Sequence, residues 1–243
     1  MSELVLGIDS STTATKAVLV SSTGTVAAVE VSEYGYDTPH PGWAEQHPHL
    51  WWDGTVAAVA EALAQAGVRG EAVRAVGLTG QMHGSVLLDA RGEVVRPALL
   101  WNDQRTAAQC DEIRAAVGAE TLVASTGNDA LTGFTAPKLL WVRENEPELW
   151  SRVAHVLLPK DYVRFRLTGA YATDVADASG TLLLDVPARA WSTVVLDRLD
   201  IDPAVLPTLA EGPEVTGAVS HAAAAATGLR AGTPVVAGGG DQA

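Results

Sequence analysis

The sequence holds a single cysteine, Cys110, so no disulfide can form within the chain. That suits a reducing compartment. No run of about 18 apolar residues occurs, which removes a membrane-spanning helix from consideration. The opening MSELVLGIDSS lacks the basic region and long apolar stretch of a secretory signal, and a cytoplasmic location is the expectation. Positive charge is also scarce: 16 Lys and Arg against 29 Asp and Glu give a formal net charge of −13. Nucleic acid and anionic membrane surfaces are therefore excluded as expected partners. A phosphorylated ligand is not, because backbone N–H groups and one metal ion can bind phosphate without a basic patch.

Several motifs are missing too. There is no G-x-x-x-x-G-K-[ST], no G-x-G-x-x-G after a strand, no H-E-x-x-H and no G-x-S-x-G. A P-loop, a dinucleotide fold, a zincin and an α/β-hydrolase gain no support. His40, His47 and His49 fit no standard zinc spacing and are read as structural.

What is present has a local logic. Leu4 to Ile8, Ala17 to Val20 and Thr25 to Val31 are short apolar runs separated by the polar turns DSSTTAT and SSTG. They read as three strands in an antiparallel meander. Tyr34 to Pro48, with its prolines and glycines, reads as loop. From His49 to Ala66, apolar residues recur at Trp52, Val56, Val59 and Leu63, and Gly67 follows. This predicts a helix with a suitable stop. Val73 to Leu78, Val86 to Leu88, Val94 to Leu100, Val156 to Leu158 and Pro234 to Ala237 are further strand candidates. Thr106 to Val117, Ala136 to Asn145, Lys160 to Leu167 and Ala222 to Thr227 are helix candidates. Three meandering strands, a helix and a returning strand open the ribonuclease-H-like, or actin-like, α/β fold. The remaining segments are helical and strand insertions in it. A chain of 243 residues is long enough to bury a large core without staples.

Two acidic positions stand out. Asp9 ends a buried strand and opens a turn with hydroxyls on Ser11, Thr12 and Thr13. Such a turn can surround phosphate oxygens, and Asp9 can hold Mg²⁺ directly or through water. The same residues also make an ordinary hairpin turn. Asp241 follows Gly238-Gly239-Gly240 after the last apolar run. Glycines let backbone approach a ligand closely, and a carboxylate placed there is a candidate general base. A flexible tail is the plainer reading. His83, in Gln81-Met82-His83-Gly84, is either a ligand contact or a satisfied buried histidine.

Together these pieces resemble the FGGY family of carbohydrate kinases. LGIDSSTTATKAVLV resembles its N-terminal phosphate loop, and AGGGDQA its catalytic turn. In GFTAPKLLWVREN, residues Gly133, Thr135, Lys138, Leu139, Trp141, Val142, Glu144 and Asn145 match the family signature. Within the family, GQMHG, PALLWNDQR, TGFTAPKLLWV and LLPKDY are most similar to kinases of D-xylulose. Glycerol kinases carry Arg-Glu where Met82-His83 stand.

The resemblance implies ATP-dependent phosphorylation of a ketopentose, D-xylulose first, with ATP and Mg²⁺. Other sugars of the family, such as ribulose, gluconate or a polyol, stay open, as does a non-catalytic sugar-binding or regulatory module. Asp241 would be the base, and Asp9 would hold Mg²⁺. Ser11, Thr12 and Thr13 would place phosphates. Met82, His83, Trp101, Asp241 and Gln242 would contact the sugar. Two departures appear: Ser11 takes a glycine position, and Gln242 stands where the xylulose kinases generally have Asn. The resemblance covers only the first of two actin-like domains. Residues 1–243 are thus expected to be a sugar-side domain, with a C-terminal nucleotide-side domain supplied in cis or in trans, and weak activity alone. A self-associating apolar face is a further expectation.

Overall fold

The computed structural model describes residues 3–242. β1 (Leu4–Ser10), β2 (Ala14–Ser21) and β3 (Val26–Glu33) form the expected antiparallel meander. Side chains alternate along β1: Leu4, Leu6 and Ile8 are buried, while Val5 and Gly7 are exposed. This is the period of a strand with one covered face. α1 (His49–Gln65) packs on β2 and β3 and leads to the strand Val73–Gly80, which runs parallel to β1. The order across the sheet is Val215–Ala218, Pro234–Val236, Val73–Gly80, β1, β2, β3, with a seventh short strand, Gly239–Gly240, also paired with Val73–Gly80. Antiparallel strands lie at both margins and parallel ones in the middle. This is the α/β actin-like arrangement.

Leu6, Ile8, Leu19, Trp51, Val59, Val76 and Val235 close the space between this sheet and its helices. Each such aliphatic side chain contributes about 2 kcal/mol on burial. A second core lies in the long excursion between the Val73–Gly80 strand and the return to the sheet. Leu87, Leu99, Ile113, Leu122, Leu139, Leu140, Leu183 and Leu196 fill it. The helix Pro159–Thr168 runs back against β1 and the Val73–Gly80 strand, so it joins the excursion to the main sheet.

Some expectations need correction. Val94 to Leu100 does not form one strand: only Ala98–Leu99 does, with Val94 bridging Leu88 alone. Pro97 stands between and has no N–H to donate. The Tyr34 to Pro48 loop holds a short strand, Glu45–Gln46, paired with Ala98–Leu99. Helices Ala119–Thr126 and Thr193–Leu199 were not expected. The second opens with Thr193, Val194 and Val195, β-branched residues that mask a helix. Its start is marked by Ser192, whose Oγ accepts from the N–H of Val195 at 3.3 Å.

Candidate active site

Strand register gathers the site. Ser10 of β1 lies beside Gly80, and Gly80 beside Gly240 of the short strand Gly239–Gly240. The next residues, Ser11, Gln81 and Asp241, therefore leave three neighbouring parallel strands at one end. Carboxyl ends of parallel strands are where α/β sheets place ligands. The N–H of Gln81 donates to Ser10 O at 3.0 Å, and that of Asp241 to Gly80 O at 2.9 Å. A cavity of about 380 Å³ opens there, lined by Thr12, Gln81, Met82, His83, Trp101, Asp241 and Gln242.

Two of the three glycines before Asp241 are required. Gly238 has φ +81°, and a Cβ on it would collide with Leu78 O. Gly240 is pressed by Met82: a Cβ there would lie 2.6 Å from Met82 Cγ. Any side chain at either position would push the turn off the sheet and move Asp241.

The opposite wall carries His83. Its φ is +66°, unusual for a residue with a side chain. Its carbonyl accepts from Thr135 Oγ1 at 3.1 Å and from Lys138 Nζ at 2.9 Å. The same Lys138 Nζ donates to Gly133 O at 2.5 Å. The ring lies edge-on to Phe134. His83 Nδ1 is 2.8 Å from Gly180 O. A carbonyl only accepts, so Nδ1 carries the proton and Nε2 is left as an acceptor. Burial, then the charge of Lys138, lowers the pKa of His83 to about 4 against the hydrogen bond to Gly180. The imidazole is neutral at neutral pH.

The signature GFTAPKLLWVREN thus works as scaffold. Thr135 and Lys138 hold the backbone of His83. Gly133 leaves room for Trp101 O, which would be 3.0 Å from a Cβ. Arg105 lies over the rings of Trp43 and Trp141, at 3.6 and 4.8 Å, and the two rings meet edge-on. Asp103 and Arg105, in the polar run after Trp101, pair with each other at 2.7 Å and so brace this wall.

Asp241 faces a like charge. Its side chain is exposed, yet desolvation by its surroundings, then the charge of Asp9, raises its pKa. Asp9 Oδ1 is buried and has no hydrogen-bond partner. Asp9 borders a second opening with Lys16, Thr79 and Gly238, on the sheet side of the turn. Two carboxylates that repel, one with an orphaned oxygen, fit a cation. Among the described residues no cluster of three or more His, Cys, Asp or Glu side chains could cage a metal. A divalent ion at Asp9 would thus keep most positions for water or phosphate oxygens, the habit of Mg²⁺.

The Ser11–Thr13 turn divides its labour. Ser11 N–H and Oγ both reach Ala14 O at 2.9 Å, so Ser11 closes the turn. Its φ is not positive, and serine in the glycine position introduces no strain. Among the described residues no acceptor takes the N–H of Thr12 or Thr13. Thr12 Oγ1 turns into the cavity, donating to Gln81 Oε1 at 3.2 Å and accepting from Trp101 Nε1 at 3.0 Å.

Two contributors escape sequence reasoning. Gln81 was seen only as part of a loop, yet it is buried beneath the cavity. Gln46 lies in a segment whose composition predicts loop, yet its Nε2 donates to Thr12 O at 2.9 Å and its Oε1 accepts from Trp51 Nε1 at 2.6 Å. A buried amide between a hydroxyl-rich turn and a core tryptophan has no local signature. His47 and His49 lie elsewhere, their rings in contact with each other.

Comparison with known proteins agrees with this geometry. Residues 4–243 match the FGGY family of carbohydrate kinases, N-terminal domain. Xylulose kinase of Escherichia coli K12 is 45% identical over 240 residues, covering 99% of this chain and 49% of that protein. The crystal structure of xylulose kinase from Rhodospirillum rubrum superposes with a TM-score of 0.92 at 35% identity, over 99% of this chain and 49% of that one. Plasmodium falciparum glycerol kinase with ADP shares the fold, with a TM-score of 0.89 at 24% identity over 99% of this chain and 49% of that one. The chain spans about half the length of the relatives it matches. It belongs to the FGGY family of carbohydrate kinases.

Proposed function

We propose that this chain is the sugar-side half of an ATP-dependent ketopentose kinase, with D-xylulose as first choice of substrate. One observation carries the reading: a single cavity joins the Asp241 carboxylate to a neutral, oriented His83. His83 Nε2 accepts a hydrogen bond from a sugar hydroxyl. Met82 and Trp101 cover apolar faces of the sugar, and the Gln242 amide reaches its polar edge. An uncharged Met-His wall suits a neutral sugar.

Asp241 takes the proton of the 5-hydroxyl as that oxygen bonds to the γ-phosphorus of ATP. The bond from that phosphorus to the bridging oxygen breaks, and ADP leaves. The raised pKa of Asp241 makes it a better proton acceptor than an ordinary aspartate. The N–H groups of Thr12 and Thr13 hold phosphate oxygens on the sheet side of the turn. Asp9 would hold Mg²⁺, which when bound neutralises charge on the phosphates. The adenosine end is left to a second half, in the same polypeptide or in another.

Calorimetric titration of the chain with D-xylulose, with glycerol as control, tests the reading. Saturable binding of D-xylulose alone, weakened at least about tenfold by His83→Ala, is expected. A chain that binds neither, or binds both alike, overturns the choice of sugar.

A further inference from the structure

Behind the Asp241 turn lies a buried cluster that the proposed mechanism does not use. Lys160 Nζ is 2.7 Å from Asp161, 2.6 Å from Asp174 and 3.0 Å from Asp177. Arg164 pairs with Asp161 at 2.5 Å. All five side chains are fully buried. Three carboxylates face two cations, so one negative charge is in excess. Burial, with Asp161 and Asp174 adding to it against Lys160, pushes the pKa of Asp177 up to about 7. Burial works to lower the Lys160 pKa, but the carboxylates around it raise it overall. Such clusters rarely add stability over apolar packing of the same volume. A reason to keep one is therefore sought in what it touches.

It touches the turn in three places. Arg164 donates to Ala237 O, directly before Gly238. The Lys160 stem presses on Gly80, 3.2 Å from where a Cβ would stand. Gly80 O in turn takes the Asp241 N–H. Asp177 Oδ1 lies 3.2 Å from the Cβ position of Gly240, and it is buried with no hydrogen-bond partner. Asp177 sits on the short helix Val175–Ser179, which Asp174 caps by accepting from the Asp177 N–H at 2.8 Å. That helix ends at Gly180, whose carbonyl orients His83. One element thus reaches both walls of the cavity.

We infer that Asp177 is a positioning residue: through Gly240 it sets the place of Asp241, and through Gly180 the orientation of His83. The inference rests on the reading of Asp241 as the base and His83 as a sugar contact. At Gly240 a methyl would lie 2.6 Å from Met82 Cγ and 3.2 Å from Asp177 Oδ1, so the position has little spare room. A shift of the Asp177 carboxylate toward Gly240 has little free space before it reaches the turn.

Asp177→Asn keeps the shape and removes the charge that Lys160 holds. Amide hydrogen exchange and D-xylulose titration of the full chain are the readouts. The Asp241 amide is expected to exchange at least about tenfold faster, while Leu6 and Ile8 of β1 stay within about twofold. D-xylulose affinity falls in parallel, at least about fivefold. Unchanged exchange at Asp241, or the same acceleration at Asp241 and in β1, overturns the inference, since either leaves Asp177 with a general role in stability at most. Should the variant not fold, Asp177→Ser withdraws the carboxylate from Gly240 with a smaller neutral side chain, and the same two outcomes decide. A wild-type chain that binds no D-xylulose defeats the sugar reading, and the exchange comparison still decides this one.

Discussion

The two walls of the cavity are built on opposite terms. The His83 wall is clamped by side chains: Thr135 and Lys138 on its carbonyl, Gly180 on its ring, Phe134 against its edge. The Asp241 wall is clamped by backbone: one N–H to Gly80, a pairing with Thr79 and Gly80, and glycines where side chains would collide. In the proposed reading, sugar binding needs a fixed acceptor, and the clamped histidine would supply one before any ligand arrives. Proton transfer would need a carboxylate at the rim where a phosphoryl group arrives, which an exposed Asp241 suits. The first wall is assembled from the excursion, the second from the end of the main sheet, and only the fold brings them together.

The sharpest way to separate the walls is to disable one chemically. Asp241→Asn keeps the shape of the turn and removes the proposed base. Turnover, assayed with the second half present in the same chain or added, should fall by about 10²–10⁴. D-xylulose affinity should change by less than about tenfold, because the clamped wall is untouched. Steady-state kinetics and calorimetry on one preparation check both. Loss of affinity as large as the loss of turnover would mean that Asp241 is first a sugar ligand.

The next effect is smaller and falls on the other wall. Lys138→Met keeps most of the buried volume and leaves Gly133 O without its donor. His83 O retains Thr135 alone. An orphaned buried carbonyl costs about 1–3 kcal/mol, so the urea midpoint should fall accordingly. The freed His83 backbone, at φ +66°, should relax and weaken D-xylulose binding. Lost stability with unchanged affinity would show that Lys138 supports the helix and not the histidine. Lys138 also links to pH. Burial lowers its pKa from 10.5 to about 7. The unfolded chain therefore binds more protons between pH 7 and 10.5, and this residue's contribution to stability rises with pH across that window.

What was legible in the sequence follows from how local each signal is. The β1 to β3 meander shows itself through alternation and hydroxyl-rich turns, and α1 through the spacing of Trp52, Val56, Val59 and Leu63. Asp9 and Asp241 were visible because each sits at a strand end beside unusual turn residues. His83 is visible on its loop only as either a ligand contact or a buried histidine, and the resemblance alone favours the first. The supporting network was not legible. Gln46 meets Thr12 across 34 positions, Lys138 meets His83 across 55, and Arg164 meets Ala237 across 73. Such partnerships depend on the register of distant segments, which no local period encodes. The signature residues were conspicuous, yet their work in bracing a neighbouring loop appears only once the loop is seen.

The smallest expected effect is an absence of change. An imidazole with an ordinary pKa of 6.5 would be about three-quarters protonated at pH 6, and a site needing its neutral form would lose about fourfold in affinity. His83 is held down to about 4, first by burial and then by the charge of Lys138. At pH 6 only about 1% of it is protonated. The His83 ring should therefore titrate only below about pH 5, read by NMR of its ring carbons, because Asp177 and Lys138, both near 7, titrate between pH 8 and 6 and act on affinity themselves. The lowered value has the opposite face in stability. As pH falls from 6.5 toward 4 the unfolded chain takes up the proton first, and His83 contributes a progressive loss of stability on acidification. A ring titration near 6.5 would show that the histidine wall opens to solvent, and the contrast between a wall clamped by side chains and one clamped by backbone would fall with it.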